Sequence, residues 1–345
     1  MKRLTLAVAI AGILLGTVLV GYFGFREVGH ALFAVGLAGF VAIVAYHLAG
    51  MALLGFCWYL LAPRPASPSV FIWGRLIRDS GSEVLPLSQL GGFVMGARAT
   101  MLLGVSGAVA VASTIVDVTL EVLGQLGYTA IGLAILAQLR PDTPLIGWTA
   151  IGLTVGLAAV MGFIAVQRRG SRLVERVLWR VARRWSQGAI ATVRSIHDEL
   201  AAIYRRRGTI GLAGLLHLAA WVASSLEAWI ALRLMGADLG IGAVIAVESL
   251  LYAIRSVAFA VPNAVGVQEG AYIVLGAAFG LTPEIALALS LLKRARDLVI
   301  GLPALLAWQA LEGRRLLNAS ILIDSASTAE NGFISPRERT SSRAL

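Results

Sequence analysis

The chain has 345 residues, 58% of them hydrophobic and only 14% charged, with a mean hydropathy of +0.82. A soluble domain carries about 25% charge, so the composition excludes a soluble globular enzyme and leaves an all-α polytopic membrane protein. The formal net charge of +10 is almost all arginine, since Lys2 and Lys293 are the only lysines; a topology signal explains it better than a nucleic-acid partner.

Lys2 and Arg3 precede an apolar run at 4–24. It is long for the hydrophobic part of a signal peptide and lacks a small-x-small cleavage site, so an uncleaved first span is expected. A second span is expected over 33–61, returning to Arg64, Arg75 and Arg78 on the cytoplasmic side. The stretch 70–104 is too interrupted by charge, glycine and Pro86 for an ordinary span. It reads as a re-entrant helix–break–helix, tolerated at membrane depth where it lines a cavity or is buried in protein. Spans over 107–138 and 144–166 follow. Segment 168–207 then carries eleven arginines against three acids, which places it in the cytoplasm. Its apolar stripes are Leu173, Val177 and Val181, then Ile190, Val193, Ile196, Leu200 and Ile203. They fit an amphipathic helix on the anionic leaflet, or else a solvated connector. A span over 209–234, a second interrupted stretch over 240–282 and a span over 284–311 complete the membrane part. The expected organisation is a first membrane half over 1–167, the basic segment 168–207, a second half over 208–315 and a disordered cytoplasmic tail over 316–345. That makes six full spans and two re-entrant hairpins, in an inner membrane with both termini cytoplasmic.

A pattern recurs 176 residues apart. Pro86 is followed by Gly104, Asp117 and Glu121; Pro262 is followed by Gly280, Lys293 and Asp297. The offsets from proline are +18, +31 and +35 in both copies. An arginine precedes each (Arg78, Arg255), and Gln89-Leu90-Gly91-Gly92 and Val267-Gln268-Glu269-Gly270 follow. The charge count puts the copies on opposite membrane faces, the inverted repeat that many transporters use to build a site near the midplane.

A charge inside the bilayer is costly and needs a partner or water. Ser113, Asp117, Glu121 and Gln125 repeat every four residues and share one helix face. Lys293, Arg294, Arg296 and Asp297 crowd one turn, and Lys293 is the counterpart of Asp117. Cross-pairing of these two groups is expected, either as a lock between helices or as a charge network serving transport. Arg78, Glu83, Gln89, Arg255, Gln268 and Glu269 on the interrupted stretches are candidate binding residues. A guanidinium suits a lipid phosphate, although Arg78 also reads as a topology signal. His47 is read as a helix–helix hydrogen bond, and His217, Trp221, Ser224 and Ser225 as packing, with Glu227 a secondary candidate. Four scattered histidines and the single Cys57 offer no metal motif, and there is no phosphate loop or nucleophile elbow. No cofactor and no metal are expected.

Several segments resemble the transmembrane region of the lysylphosphatidylglycerol synthase family. They are Gly74 to Ser80, Leu85 to Gly92 and Val261 to Gly270. The run Leu289 to Asp297, followed by Gly301-Leu302-Pro303, is most similar to the hopanoid-biosynthesis-associated branch. The resemblance covers roughly 1–315 and implies a flippase-type domain that handles lipids. The aminoacyl-transfer domain of the bifunctional members has no counterpart in this sequence, so no enzyme activity is expected from it. The expected function is translocation or presentation of a hopanoid or phospholipid-like amphiphile. Membrane lipids are the expected partners, with other hopanoid-biosynthesis proteins as possible associates. A membrane-embedded transferase with Asp117 or Glu121 as base, and a scaffold acting through 168–207, are the alternatives.

Overall fold

A computed structural model describes residues 25–62, 66–85, 89–181, 187–258, 261 and 264–333, with side chains considered outside 25, 27, 89, 168–190 and 316–333. The expected span over 4–24, both repeat prolines, the Gln89 side chain and the stripe of Leu173, Val177 and Val181 lie outside what is described. Eleven helices are described: α1 (Phe25–Ala34), α2 (Gly36–Leu61), α3 (Pro68–Val84), α4 (Gln89–Leu102), α5 (Gly107–Leu139), α6 (Leu145–Val181), α7 (Gln187–Arg205), α8 (Arg207–Leu234), α9 (Ile241–Val257), α10 (Val267–Ala277) and α11 (Pro283–Phe333).

Four of them contain stretches long and apolar enough to cross a bilayer: Gly36–Leu61, Gly107–Leu139, Leu145–Gln167 and Arg207–Leu234. At about 1.5 Å per residue each spans the hydrocarbon core. The expected span over 284–311 is helical within α11, but Lys293, Arg294, Arg296 and Asp297 interrupt its apolar run. The apolar stretch of α6 has none of its length buried, and Trp148, Ile151 and Val155 are exposed on it. With no polar face to give to water there, it is a lipid-facing helix at the edge of the bundle.

Both interrupted stretches fold as helix–break–helix units. In the first, Pro68 stands in the opening turn of α3, where its missing N–H costs nothing. Leu85, which precedes Pro86, is extended at ψ 148° and ends the helix. α4 then folds back antiparallel to α3 on a glycine face. A Cβ at Gly92 would lie 2.5 Å from the Arg78 carbonyl oxygen, and one at Gly96 would lie 2.6 Å from Arg78 Cβ. In the second unit, α9 and α10 are joined by Tyr272, whose hydroxyl donates to Glu248 at 2.6 Å.

The glycines at +18 of the pattern have one job in both copies. Gly104 (φ +96°) and Gly280 (φ +84°) sit in the left-handed region at the ends of α4 and α10. The next amides close back over them, Val105 N to Thr100 O at 3.2 Å and Leu281 N to Gly276 O at 3.0 Å. That is a Schellman-type stop, which a side chain at φ > 0 would strain. A long helix starts three residues later each time, with Ser106 capping α5 and Pro283 opening α11.

α5 runs through the middle of the bundle and packs on α4, α6, α7, α8 and α9. The largest core brings together α1, α2, α8, α9, α10 and α11 through Ile43, Leu232, Val244, Tyr272 and Leu287. A smaller one (Ile77, Met95, Ala99, Ala304, Leu305) seats the first helix–break–helix unit on α11. The helix over the second part of the basic segment is amphipathic as expected, but its placement on a lipid leaflet needs correction. Ile196, Leu200 and Ile203 of α7 pack against Leu61, Ala112, Val116 and Leu120, so this stripe faces protein rather than lying on a lipid leaflet. The helix α11 continues to Phe333, past the point where composition suggests a disordered tail.

Candidate functional site

The first copy of the pattern builds a dense ion cluster between α3 and α5. Arg75 and Arg78 lie one turn apart on α3, and Asp117 and Glu121 one turn apart on α5, so two cations meet two anions face to face. Arg75 bonds Glu121 through both terminal nitrogens, Nη2 to Oε1 at 2.7 Å and Nη1 to Oε2 at 3.2 Å. Its Nε donates to Asp79 at 2.7 Å. Arg78 donates to Asp117 Oδ2 at 2.7 Å and to Glu121 Oε2, and its guanidinium stands 4.6 Å from the centre of the Phe93 ring. Asp117 is fully buried, and His217 of α8 meets its other oxygen at 3.1 Å.

The second copy reverses the signs. Here the acid is on the first helix of the unit and the cation on the long helix: Lys293 Nζ meets Glu248 Oε2 at 2.5 Å. Arg296 bonds Glu227 of α8 and, at 2.7 Å, its neighbour Asp297. His47 Nδ1 lies 2.9 Å from the other oxygen of Glu227. Arg294 reaches Glu269 at 2.6 Å, while Glu269 also accepts from the Gly266 amide at 2.7 Å and so caps α10. Gln268 donates to Ser290 at 2.9 Å.

These pairings overturn the expected bridge between Asp117–Glu121 and Lys293–Asp297. The acids of α5 are taken by arginines of α3, two elements upstream, and Lys293 is taken by Glu248. The physical reason is local: each interrupted unit folds back beside its own long helix and delivers the opposite charge there.

Between the two clusters lies a cavity of about 420 Å³, in the range of small-molecule sites. Four arginines (Arg75, Arg78, Arg255, Arg296) and five carboxylates (Asp79, Glu83, Glu121, Glu227, Asp297) line it, with Trp221 and Tyr252 as aromatic walls. One ion pair there joins the two interrupted units: Arg255 of α9 holds both oxygens of Glu83 of α3, at 2.8 and 3.0 Å. Both partners are only partly buried. Gln125 closes the adjacent wall by donating to the Tyr252 carbonyl at 3.0 Å and to Ser256 at 2.5 Å.

Of the residues expected from sequence, the cavity brings together Arg78, Glu83, Glu121, Arg255, Arg296 and Asp297. Asp117 stands behind it, holding Arg78. Lys293, Arg294, Gln268 and Glu269 do not line it, and hold α9, α10 and α11 together instead. Sequence reasoning missed Arg75, which it took as a topology signal and an interruption of a span, and it missed Glu248 and Tyr252 as site residues. The signal for Arg75 was present: Arg75 and Arg78 share a helix face opposite a stripe of carboxylates. His47 does make the expected helix–helix hydrogen bond, and its partner raises Glu227 from secondary candidate to a wall of the cavity.

Apolar helices around a buried, charge-paired cavity define a polytopic membrane protein with an internal polar site. A family model described as Lysylphosphatidylglycerol synthase TM region matches residues 5–304, and the chain belongs to that family. The family relates it to lipid modification. No curated protein and no solved structure matches the chain.

Proposed function

We propose that the protein binds the polar head of a membrane amphiphile, of hopanoid or phospholipid type, in this cavity and moves or presents the lipid across a bacterial inner membrane. It acts as a carrier rather than an enzyme. The two interrupted units are re-entrant and inverted relative to each other, and both termini are cytoplasmic.

The observation that carries this reading is the cavity itself: nine charged side chains walled by helices whose outer faces are apolar. Charges inside an apolar bundle are costly even when paired, and such residues commonly mark a substrate pathway. Every arginine lining the cavity already holds a carboxylate, so a head group enters by exchange. An acidic or hydroxyl-rich head takes the guanidinium of Arg255 as Glu83 lets go, and Glu83 returns when the head leaves. Arg255 keeps a partner throughout, and Glu83, whose side chain is 30% exposed, can be hydrated while the head is bound, which limits the cost of parting the pair.

The test is reconstitution of the purified protein into liposomes with a fluorescent phospholipid and a fluorescent hopanoid analogue, following loss of protected signal on adding a membrane-impermeant quencher. Movement above protein-free liposomes, slowed at least tenfold by Arg255→Gln, is expected. Rates equal to protein-free liposomes for both lipids would refute carriage.

A further inference from the structure

A second cavity, of about 350 Å³, opens away from the central one and is lined by Gln167, His197, Ala201, Tyr204, Arg205 and Arg207. Its described lining carries charge of one sign, where the central site mixes both. Its side chains include two arginines and a histidine, and no carboxylate lines it among the described residues. Among the described residues neither Arg205 nor Arg207 has an ion-pair partner. Both are exposed, and His197 is half-buried. Asp198 and Glu199, the nearest acids in sequence, are outside the lining.

The floor is built rather than accidental. Gln167 is 9% exposed and held from two sides, donating to Thr119 Oγ1 at 3.0 Å and accepting from the Tyr204 hydroxyl at 2.6 Å. Those bonds fix the end of the apolar stretch of α6 against α5 and α7. On α7, His197, Ala201, Tyr204 and Arg205 recur at helical spacing and share one face. Arg206 is turned elsewhere: its Nη1 donates to the Ala62 carbonyl at 3.0 Å and ties the α7–α8 junction to the end of α2.

The level of this cavity in the bundle is set by the helices that stop there. The apolar stretch of α6 ends at Gln167, the apolar stretch of α8 begins at Arg207, and α2 ends at Leu61, beside Ala62. Three membrane-crossing helices thus terminate in one layer, which is where the hydrocarbon gives way to head groups. The cavity sits in that layer, cationic, open, and next to the lipid-exposed face of α6.

We infer that this cavity is a binding site for the phosphoryl group of an anionic membrane lipid, held by Arg205 and Arg207 with His197 beside them. Arginine gives a planar fork of donors to a phosphate. The site is separate from the central cavity. It anchors a resident lipid at the bundle's edge and does not require that the central cavity transport anything.

The experiment uses the full-length protein in a neutral detergent and measures binding of dihexanoyl phosphatidylglycerol, with dihexanoyl phosphatidylcholine and inorganic phosphate as comparison probes. Phosphatidylglycerol is expected to bind saturably, and phosphatidylcholine at least tenfold more weakly. The variant carrying Arg205→Gln and Arg207→Gln is expected to raise the Kd for phosphatidylglycerol about 25-fold, roughly fivefold for each arginine beside an anionic head. Arg205→Lys with Arg207→Lys is expected to recover part of that loss, which a folding defect would not allow. Arg314→Gln with Arg315→Gln makes the same change in net charge elsewhere and is expected to leave the Kd within twofold. Inorganic phosphate that binds as tightly as the lipid would overturn the lipid assignment in favour of a soluble phosphoryl ligand. Unchanged phosphatidylglycerol affinity in the double glutamine variant would overturn the site.

Discussion

Replacing Arg78 with methionine tests whether the α3–α5 cluster neutralises itself as described. The cluster holds two guanidinium groups, Arg75 and Arg78, against three carboxylates, Asp79, Asp117 and Glu121. Methionine keeps most of the stem and its contact with Phe93, so the loss is chiefly electrostatic. Three carboxylates then share Arg75, which stands 3.8 Å from Asp117, and the remaining contact of Asp117 is with His217. Removing one partner of a buried pair costs about 3–5 kcal/mol, because the other is left without compensation. The expected loss is therefore about 4 kcal/mol. Adding Asp117→Asn takes away the stranded charge and leaves a neutral group that can still meet His217. The double variant is then expected to be about 2 kcal/mol more stable than the sum of the single losses, a coupling typical of residues in contact. Reversible unfolding in mixed detergent micelles, followed by tryptophan fluorescence, measures all four members of the cycle. A loss below about 1 kcal/mol for Arg78→Met, or additive losses, would refute the described cluster.

Other consequences follow from the same geometry. Glu83→Arg together with Arg255→Glu is expected to restore most of the lipid movement that either single reversal abolishes, measured in liposomes; failure of the swap would show that the pair does not act as a pair. Gly96→Ala pushes a methyl group against Arg78 Cβ and the Gly74 carbonyl, at 2.6 and 2.9 Å, and is expected to cost about 1–3 kcal/mol of stability in the same micelle assay. Lys293→Met leaves Glu248 with the Tyr272 hydroxyl as its hydrogen-bond donor and is expected to destabilise by about 3 kcal/mol, with Glu248→Gln in the same chain recovering part of it.

Much of this arrangement is legible in sequence because charge inside an apolar chain is conspicuous. The stripe of Asp117 and Glu121 follows from i,i+4 spacing alone, and the two breaks from proline and glycine chemistry. The shared offset of Gly104 and Gly280 marks a true structural equivalence, since both end a helix in the left-handed region. Pairing was not legible. Spacing along the chain gives the face a charge occupies, but not which neighbour turns toward it. The repeat invited a search for partners across the halves, whereas the short return from α3 to α5 brings opposite charges together within one half. Arg75 was hidden by a different effect: an arginine near a span end serves equally well as a topology signal, and only packing against Glu121 separates the two roles. Burial also decided the fate of α7, where the same apolar stripe suits lipid or protein and the presence of α5 settles it.

The sign reversal between the halves bears on movement. The first half neutralises its buried acids with Arg75 and Arg78, and the second neutralises Lys293 and Arg296 with Glu248, Glu227 and Asp297, so the strongest buried pairs close within a half. Among the described residues, the arginine–carboxylate pairs that cross between halves are Glu83–Arg255 and Arg98–Glu312, and both are partly exposed. Pairs in contact with water contribute about 1 kcal/mol or less, against about 3–5 kcal/mol to break a buried one. Among the ion pairs, sliding one half against the other therefore opens the weak links and leaves the strong ones closed; the core that α1 and α2 share with α8 to α11, and the contacts of His217 with Asp117 and of His47 with Glu227, shift with it. If carriage depends on that motion, joining the halves at the weak link stops it. In a Cys57→Ala background, Arg98→Cys with Glu312→Cys, at the cross-half pair that lies outside the cavity lining, bridged by a short bifunctional thiol reagent, is expected to arrest lipid movement, and the unbridged variant to move lipid faster than the bridged one. Equal rates with and without the bridge would show that the halves need not part.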